Sequence, residues 1–289
     1  MSNVYQTSNV FDINEEKAWC PGCGNHVIHE CIKQVLMELN FRTHEVLICS
    51  GIGQAAKLPH YVRANGFNGL HGRALPPAVA AKMVNPNLNV IVHTGDGDCY
   101  GEGGNHLLHN IRRNVDISLF VHNNGVYGLT KGQASPTTEI GRKTGVQTEG
   151  VILSPLNPIS LAISQNISFV ARGFTGEREH LVDLMKEAIK HKGFALVDIL
   201  QPCVVFNKVN TFKWYKERVY KLNKEYDYKD RVNAFSKSLE WDDGIPLGII
   251  YKTQRTTFME GLEHLRGKPA LIERDYGPLE AQEYMKDFY

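Results

Sequence analysis

Short stretches of this chain, at 46–49, 90–92, 117–121 and 195–200, are apolar at nearly every position, and stretches with helical spacing separate them. A strand without a polar side needs cover on both faces, which parallel sheets sandwiched between helices provide. The helical pattern is clearest where Val27, Ile28, Cys31, Ile32, Val35, Leu36 and Leu39 recur at helical intervals. Further helices are expected over 77–83, 105–113, 159–164 and 181–190, and a further strand over 169–171. Arg112, Arg113 and Asn114 suit a helix C-terminus. The expected fold class is α/β, a doubly wound, mainly parallel sheet whose ligand loops lie at the carboxyl ends of the strands. Past Cys203 the character changes. Residues 207–232 are rich in Lys, Tyr, Trp and Arg with no apolar stripe, and the end of the chain is irregular. We read 1–205 as the ligand-binding domain and 206–289 as a C-terminal arm and tail, packed on that domain or on a partner subunit.

Charge excludes some functions. Lys and Arg number 32 against 31 Asp and Glu, a net charge of +1. A nucleic-acid partner is not expected, because that binding relies on many phosphate-neutralising cations. No apolar run approaches the ~20 residues that span a bilayer. The N-terminal residues carry neither a basic start followed by an apolar stretch nor an Arg-rich amphipathic pattern. A cytoplasmic protein with no membrane partner is expected. Six cysteines, at 20, 23, 31, 49, 99 and 203, are too few for a disulfide scaffold and are expected as reduced thiols. Only Cys20 and Cys23 form a close pair. That pair alone suits a redox disulfide, half a zinc site or two cluster ligands.

The strongest chemical signal is Gly95-Asp96-Gly97 after one expected strand and Asn123-Asn124 after the next. Either is a common turn by itself. Together they put one carboxylate and one amide oxygen at the carboxyl ends of parallel strands, a donor set suited to Mg²⁺. A helix starting near 103–105 would aim its free N–H groups at the same place and favour a phosphate. Glycines at 95, 97, 101, 103 and 104 allow close backbone approach.

Wider context makes the signal specific. In order, the chain carries Trp19-Cys20-Pro21-Gly22-Cys23-Gly24-Asn25, Ser50-Gly51-Ile52-Gly53, Leu70-His71-Gly72-Arg73-Ala74 and Gly95-Asp96-Gly97-Asp98. Gly103-Gly104-Asn105-His106, Arg112-Arg113-Asn114 and the run from Tyr127-Gly128-Leu129 through Lys131 to Ser135-Pro136-Thr137-Thr138 follow. This series resembles the thiamine-diphosphate-binding β subunit of 2-oxoacid:ferredoxin oxidoreductases over about 18–205, with weaker echoes at 238–251. The resemblance implies Mg²⁺ held by the Asp96 and Asn124 side chains and the Val126 carbonyl. It implies thiamine diphosphate bordered by Gly97 and Asp98 and lined by Ile52, Gly53, Gln54, Ala55, His71, Arg73, Gly128 and Leu129. Without a ligand, His71 and Arg73 would be a satisfied loop pair. Lys131, with Leu129 beside it, matches the loop that meets the substrate tail; it either anchors a distal carboxylate or phosphate or stays a solvated cation.

The family's [4Fe-4S] cluster implies four cysteines. Cys20, Cys23 and Cys203 match three, and the fourth falls at Gln54. Three outcomes stay open: a cluster with an unusual fourth ligand, Cys49 in its place, or loss of the cluster with a zinc site or bare thiols left. Cys31 reads as a small core residue, Cys99 as either near the cofactor or space-filling, and His26 and His29 as polar helix-face residues. The implied activity is oxidative decarboxylation of a 2-oxoacid to acyl-CoA and CO₂, with electrons passed to ferredoxin, and the reverse reaction is open to it. The chain is too short to carry the cofactor-activating glutamate's domain, so an α subunit is expected to supply that residue. The rivals are a non-oxidative decarboxylase or carboligase subunit and a non-catalytic cofactor-binding partner.

Overall fold

The sheet expected from the apolar runs spans the molecule. The computed structural model describes residues 9–274 apart from 243, together with 285–288. The first eight residues, and the parts of the expected tail at 275–284 and 289, lie outside the described residues. The strands are β1 (Val46–Ser50), β2 (Asn65–Asn68), β3 (Asn89–Gly95), β4 (Ser118–Asn123), β5 (Phe169–Phe174), β6 (Ala195–Leu200), β7 (Val219–Lys221) and β8 (Ile245–Lys252). They lie side by side as β2-β1-β3-β4-β6-β5-β8-β7. All neighbours from β2 to β5 are parallel, whereas β8 runs antiparallel to β5.

Helices α1 (Gly24–Glu38) and α5 (Arg178–Lys190) cover one face. The other is covered by α2 (Leu75–Val84), α3 (Gly104–Arg113), α4 (Pro158–Ser164) and α7 (Arg231–Ser238). Every residue of β4, β5 and β6 is buried, as cover on both faces requires. Capping sets several helix starts. Asn157 accepts from the Ile159 and Ser160 N–H groups at the start of α4, and Asp230 does the same for Val232 and Asn233 at α7.

Three features differ from the sequence-based expectation. The polar strand β2 is an exposed sheet edge, so it carries no apolar run. The segment after β3 is a π-helical turn over Gly97–Glu102 that leads directly into α3. α3 itself starts at Gly104, within the expected 103–105, and its first intrahelical bond runs from the Leu107 N–H to the Gly103 carbonyl at 3.0 Å. Beyond 205 the chain forms α6 (Phe212–Lys216), β7, α7 and β8, and β8 extends the main sheet. Pro246 and Gly248 obscured β8 in the sequence.

Asn114 ties four segments together at the end of α3. Its φ of 56° is the left-handed conformation that asparagine tolerates better than most residues. Its Oδ1 accepts from Ser168 Oγ at 2.6 Å and the Phe194 N–H at 2.9 Å, while Nδ2 donates to the Arg255 and Thr256 carbonyls. Replacement with Ala adds about 1–2 kcal/mol of backbone strain and removes buried hydrogen bonds worth about 1 kcal/mol each. We expect Asn114→Ala to lose roughly 3–4 kcal/mol in urea unfolding, and Asn114→Gly to recover the strain component. A change within about 0.5 kcal/mol, the range of an ordinary surface substitution, would remove Asn114 from this role.

Candidate active site at the sheet switch point

The strand order reverses direction between β1 and β3, which opens a crevice at their carboxyl ends. The loops after β1, β3 and β4 meet there. Asp96 follows β3 directly and is 1% exposed. Its Oδ2 accepts from Ser135 Oγ at 2.5 Å and Thr137 Oγ1 at 2.7 Å, and its Oδ1 accepts from the Asn124 N–H at 3.5 Å. Burial pushes the carboxyl above its usual range, and these three donors pull it back. A cation beside it would favour the ionised form further. The Asn124 side chain accepts from the Val126 N–H at 3.0 Å and donates to Gln201 Oε1 at 3.2 Å. Carboxylate, amide and carbonyl oxygens are the donor types that Mg²⁺ takes.

Asp98 does a different job. Its Oδ1 accepts from the Ile52 and Gly72 N–H groups at 3.1 and 2.7 Å, and its Oδ2 accepts from Thr94 Oγ1 at 2.6 Å. One buried carboxylate thus anchors the loop after β1 and the loop before α2. The approach is close enough that a Cβ on Gly51 would sit 2.0 Å from Asp98 Oδ2. His71 Nε2 lies 3.5 Å from both Asp98 Oδ1 and Glu102 Oε2, and its ring packs edge-on to Tyr127. Tyr127 also covers Gly97, where a Cβ would meet its ring at 2.3 Å.

Of the residues singled out in the sequence, Ile52, Gly53, His71, Arg73, Asp96, Gly97, Asp98, Asn124 and Val126 come together on these loops. Arg73 Nη1 makes long contacts to the Gly72 and Glu102 carbonyls, at 3.4 and 3.5 Å. Gly128 follows Tyr127 and faces Gln54, whose Cγ lies 4.0 Å from the position of a Cβ there. Ala55 is buried and opens a 3₁₀ turn, Ala55–Tyr61. Ile52 and Leu129 stay exposed at 36% and 43%, apolar groups flanking the crevice. Lys131 stands exposed at the tip of the next turn with φ of 84° and meets no carboxylate among the described residues.

Relatives of known class share this architecture. Residues 49–199 match the family described as "Thiamine pyrophosphate enzyme, C-terminal TPP binding domain". Residues 203–267 match the family of the C-terminal part of the pyruvate ferredoxin oxidoreductase beta chain. The 2-oxoacid:ferredoxin oxidoreductase subunit beta of Saccharolobus solfataricus is 46% identical over 255 residues, 84% of each chain. The chain belongs to the β subunits of the 2-oxoacid:ferredoxin oxidoreductases. The 2-oxoglutarate oxidoreductase subunit KorB of Mycobacterium tuberculosis is 42% identical over 70% of this chain and 54% of its own. A solved 2-oxoglutarate:ferredoxin oxidoreductase from Magnetococcus marinus, with 2-oxoglutarate, coenzyme A and succinyl-CoA bound, superposes with a TM-score of 0.85. It is 31% identical, with 89% of each chain covered. This β subunit is therefore part of an oxidoreductase that acts on 2-oxoacids and binds thiamine diphosphate. Among the described residues, no helix is long and apolar enough to cross a membrane.

The cysteine corner of the β subunit adjoins these loops. Cys23 caps α1, and Gly24 packs so tightly on Gln201 that a Cβ would sit 2.7 Å from its Cγ. Gln201 Nε2 donates to Cys23 Sγ at 3.4 Å, and the Phe206 N–H donates to Cys203 Sγ at 3.4 Å. Burial pushes the Cys23 thiol up, and Cys203 and Cys20 are near enough to push it further. Among the described residues, no three His, Cys, Asp or Glu side chains are close enough to hold one metal ion. Trp19 Nε1 donates to the Gln54 carbonyl at 2.8 Å, while Gln54 Oε1 is buried without a partner. Cys49 is fully buried in β1 and packs in the core on the α2 and α3 side of the sheet, whereas Cys23 packs on the α1 side, which separates Cys49 from the cysteine corner. Cys31 is a core residue, its thiol raised to about 11, and Cys99 is buried as well. His29, expected on a polar helix face, is instead 1% exposed between Trp19 and Tyr61. It is satisfied there by the Tyr61 carbonyl, 2.8 Å from Nε2.

Sequence reasoning missed the supporting groups. Ser135 and Thr137 lie in a quoted motif, but nothing in their spacing says that they fold back onto Asp96. Arg142 is another, donating to the Gly125 and Phe206 carbonyls at 2.9 and 3.0 Å, and Asn207 donates to the Asn124 carbonyl. The Asp98 clamp has a direct test. Charge-assisted hydrogen bonds are worth about 1.5–3 kcal/mol, so Asp98→Ala should speed exchange of the Ile52 and Gly72 amides by roughly 10-fold or more. Amides in β6 should be unchanged; unchanged Ile52 and Gly72 amides would dismiss the clamp.

Proposed function

We propose that this chain is the catalytic, diphosphate-binding half of a hetero-oligomeric enzyme that oxidatively decarboxylates a 2-oxoacid to acyl-CoA and CO₂, passing the electrons to ferredoxin. The observation that carries the reading is the buried Asp96, held by Ser135, Thr137 and Asn124 at the switch point. In this reading Asp96, Asn124 and the Val126 carbonyl hold Mg²⁺. Gly97 and Asp98 border the diphosphate, with Asp98 holding the flanking loops. Ile52, Gly53, Gln54, Ala55, His71, Arg73, Gly128 and Leu129 surround the organic part. When bound, thiamine diphosphate supplies the electron sink that decarboxylation of a 2-oxoacid needs. Lys131 meets the distal end of the substrate as a flexible point charge. Bound 2-oxoglutarate and coenzyme A in the Magnetococcus marinus relative support a 2-oxoacid and coenzyme A as substrates.

An α subunit supplies the activating glutamate, so the chain acts only when assembled, in the cytoplasm. Cys20, Cys23 and Cys203 hold an iron–sulfur cluster that accepts single electrons. Cys20 and Cys203 lie near enough to Cys23 to raise its thiol, which supports one shared site. Gln54, with its unpartnered Oε1, takes the position of the fourth ligand. That same departure favours a second reading, a non-oxidative decarboxylase or carboligase subunit without the cluster.

Two experiments separate these readings. In the assembled complex, Asp96→Ala should lower kcat/KM more than about 100-fold, exceeding losses typical of outer-shell changes at metal sites. Retained turnover would reduce the chain to a non-catalytic partner. Anaerobic iron and sulfide counts on the complex should fall by about four of each in the Cys20, Cys23 and Cys203 triple substitution. An unchanged iron count would leave the non-oxidative reading.

A further inference from the structure

Arg172, on β5, heads the largest fully buried side chains and is 1% exposed. Its guanidinium carbon lies 5.5 Å from the Trp241 ring centroid, and Nη2 reaches the Ser238 carbonyl at 3.5 Å. Nε and Nη1 have no partner among the described residues. The side chain lines a cavity of about 480 Å³ that Asn123, Thr137, Glu139, Tyr215 and Trp241 also line. Three carboxylates also line it, Asp198, Glu139 and Asp242, and none accepts a hydrogen bond from Arg172. Asp198 Oδ1 accepts from Tyr100 and Asn123 at 2.8 and 3.1 Å, and Glu139 Oε1 accepts from Asn210 and Trp241, both at 3.0 Å.

An unspent guanidinium in a buried cavity is unfavourable until an acceptor, preferably an anionic one, fills its fork. That planar fork matches a carboxylate or a phosphate through two parallel N–H bonds. The volume falls in the range of pockets that hold small molecules and exceeds what a bare ion needs. Aromatic walls at Tyr215 and Trp241 suit an organic body behind the charged head.

We propose that this cavity binds a small organic anion, with its carboxylate or phosphate on one edge of the Arg172 guanidinium, where Nε or Nη1 is joined by the Nη2 hydrogen that Ser238 does not take, and its apolar part against Trp241 and Tyr215. The site communicates with the diphosphate loops through hydrogen bonds. Asn123 bonds to Asp198 and to Thr137, and Thr137 Oγ1 donates to Asp96 Oδ2 at 2.7 Å and contacts Asn123 Oδ1 at 2.8 Å. An occupant is therefore positioned to bias the geometry of Asp96.

The test uses the chain purified with its co-expressed partner and loaded with thiamine diphosphate and Mg²⁺, so that the diphosphate loops are filled. Malonate and inorganic phosphate are titrated separately at constant ionic strength in chloride, by calorimetry and tryptophan fluorescence. Saturable binding is expected, with Kd raised about tenfold or more once the bidentate pair is lost in Arg172→Met. The fluorescence change should vanish in Trp241→Phe. Arg172→Lys keeps the charge without the fork and should weaken binding as well, which covers a failure of Arg172→Met to fold. Malonate binding alone assigns a carboxylate ligand, and phosphate binding alone a phosphorylated one. Absence of saturable binding by either anion, or equal affinity in wild type and the Arg172 variants, overturns the site. The readout is binding, so it stands whether or not the complex turns over.

Discussion

Complete burial of the central strands is the constraint on which the structure depends. Every residue of β4, β5 and β6 is buried, so each polar side chain there needs a partner. Asp198 finds Tyr100 and Asn123. His122 bridges His93 Nδ1 and Asn25 Oδ1 at 2.9 and 2.8 Å. Burial holds His122 down at about 3 and His93 well below its usual value, so both are neutral near pH 7. Asn25 lies two residues after Cys23, so this line of hydrogen bonds fixes the cysteine corner to the middle of the sheet. Arg172 is the exception, with two of its three nitrogens left without a partner.

At the sheet's carboxyl edge, two aspartates one residue apart do opposite work. Asp96 faces hydroxyl donors and an amide loop, where burial raises its proton affinity and a cation would lower it. Asp98 points the other way and spends its oxygens on two backbone N–H groups and a threonine. Residues two apart on a helical turn point to nearly opposite sides, and the turn that runs into Gly97–Glu102 places the two carboxylates so. Close packing of Tyr127 on Gly97 and of Asp98 on Gly51 leaves these positions to glycine.

The helices and inner strands were legible because burial imposes a period on the sequence. The expected helix near 27–39 is α1, and the runs at 90–92 and 195–200 lie within β3 and β6. Edge elements escaped for the converse reason. β2 is solvent-exposed and polar, and β8 is interrupted by Pro246 and Gly248. Among site residues, Asp96 and Asn124 were legible because a metal or phosphate loop needs short oxygen donors between glycines. Ser135, Thr137, Arg142 and Gln201 were not, because their partners are distant in sequence and a side-chain hydrogen bond imposes no period.

By itself, then, the sequence determined the class of sheet, the loops that bear the chemistry and the family, because apolar patterning and short ordered motifs are local. Only the tertiary structure decided which groups touch. It folded Ser135 and Thr137 onto Asp96, set Cys49 on the other side of the sheet from Cys23, and left Arg172 facing a cavity. Such contacts depend on how layers pack across the sheet, and no interval along the chain encodes that distance.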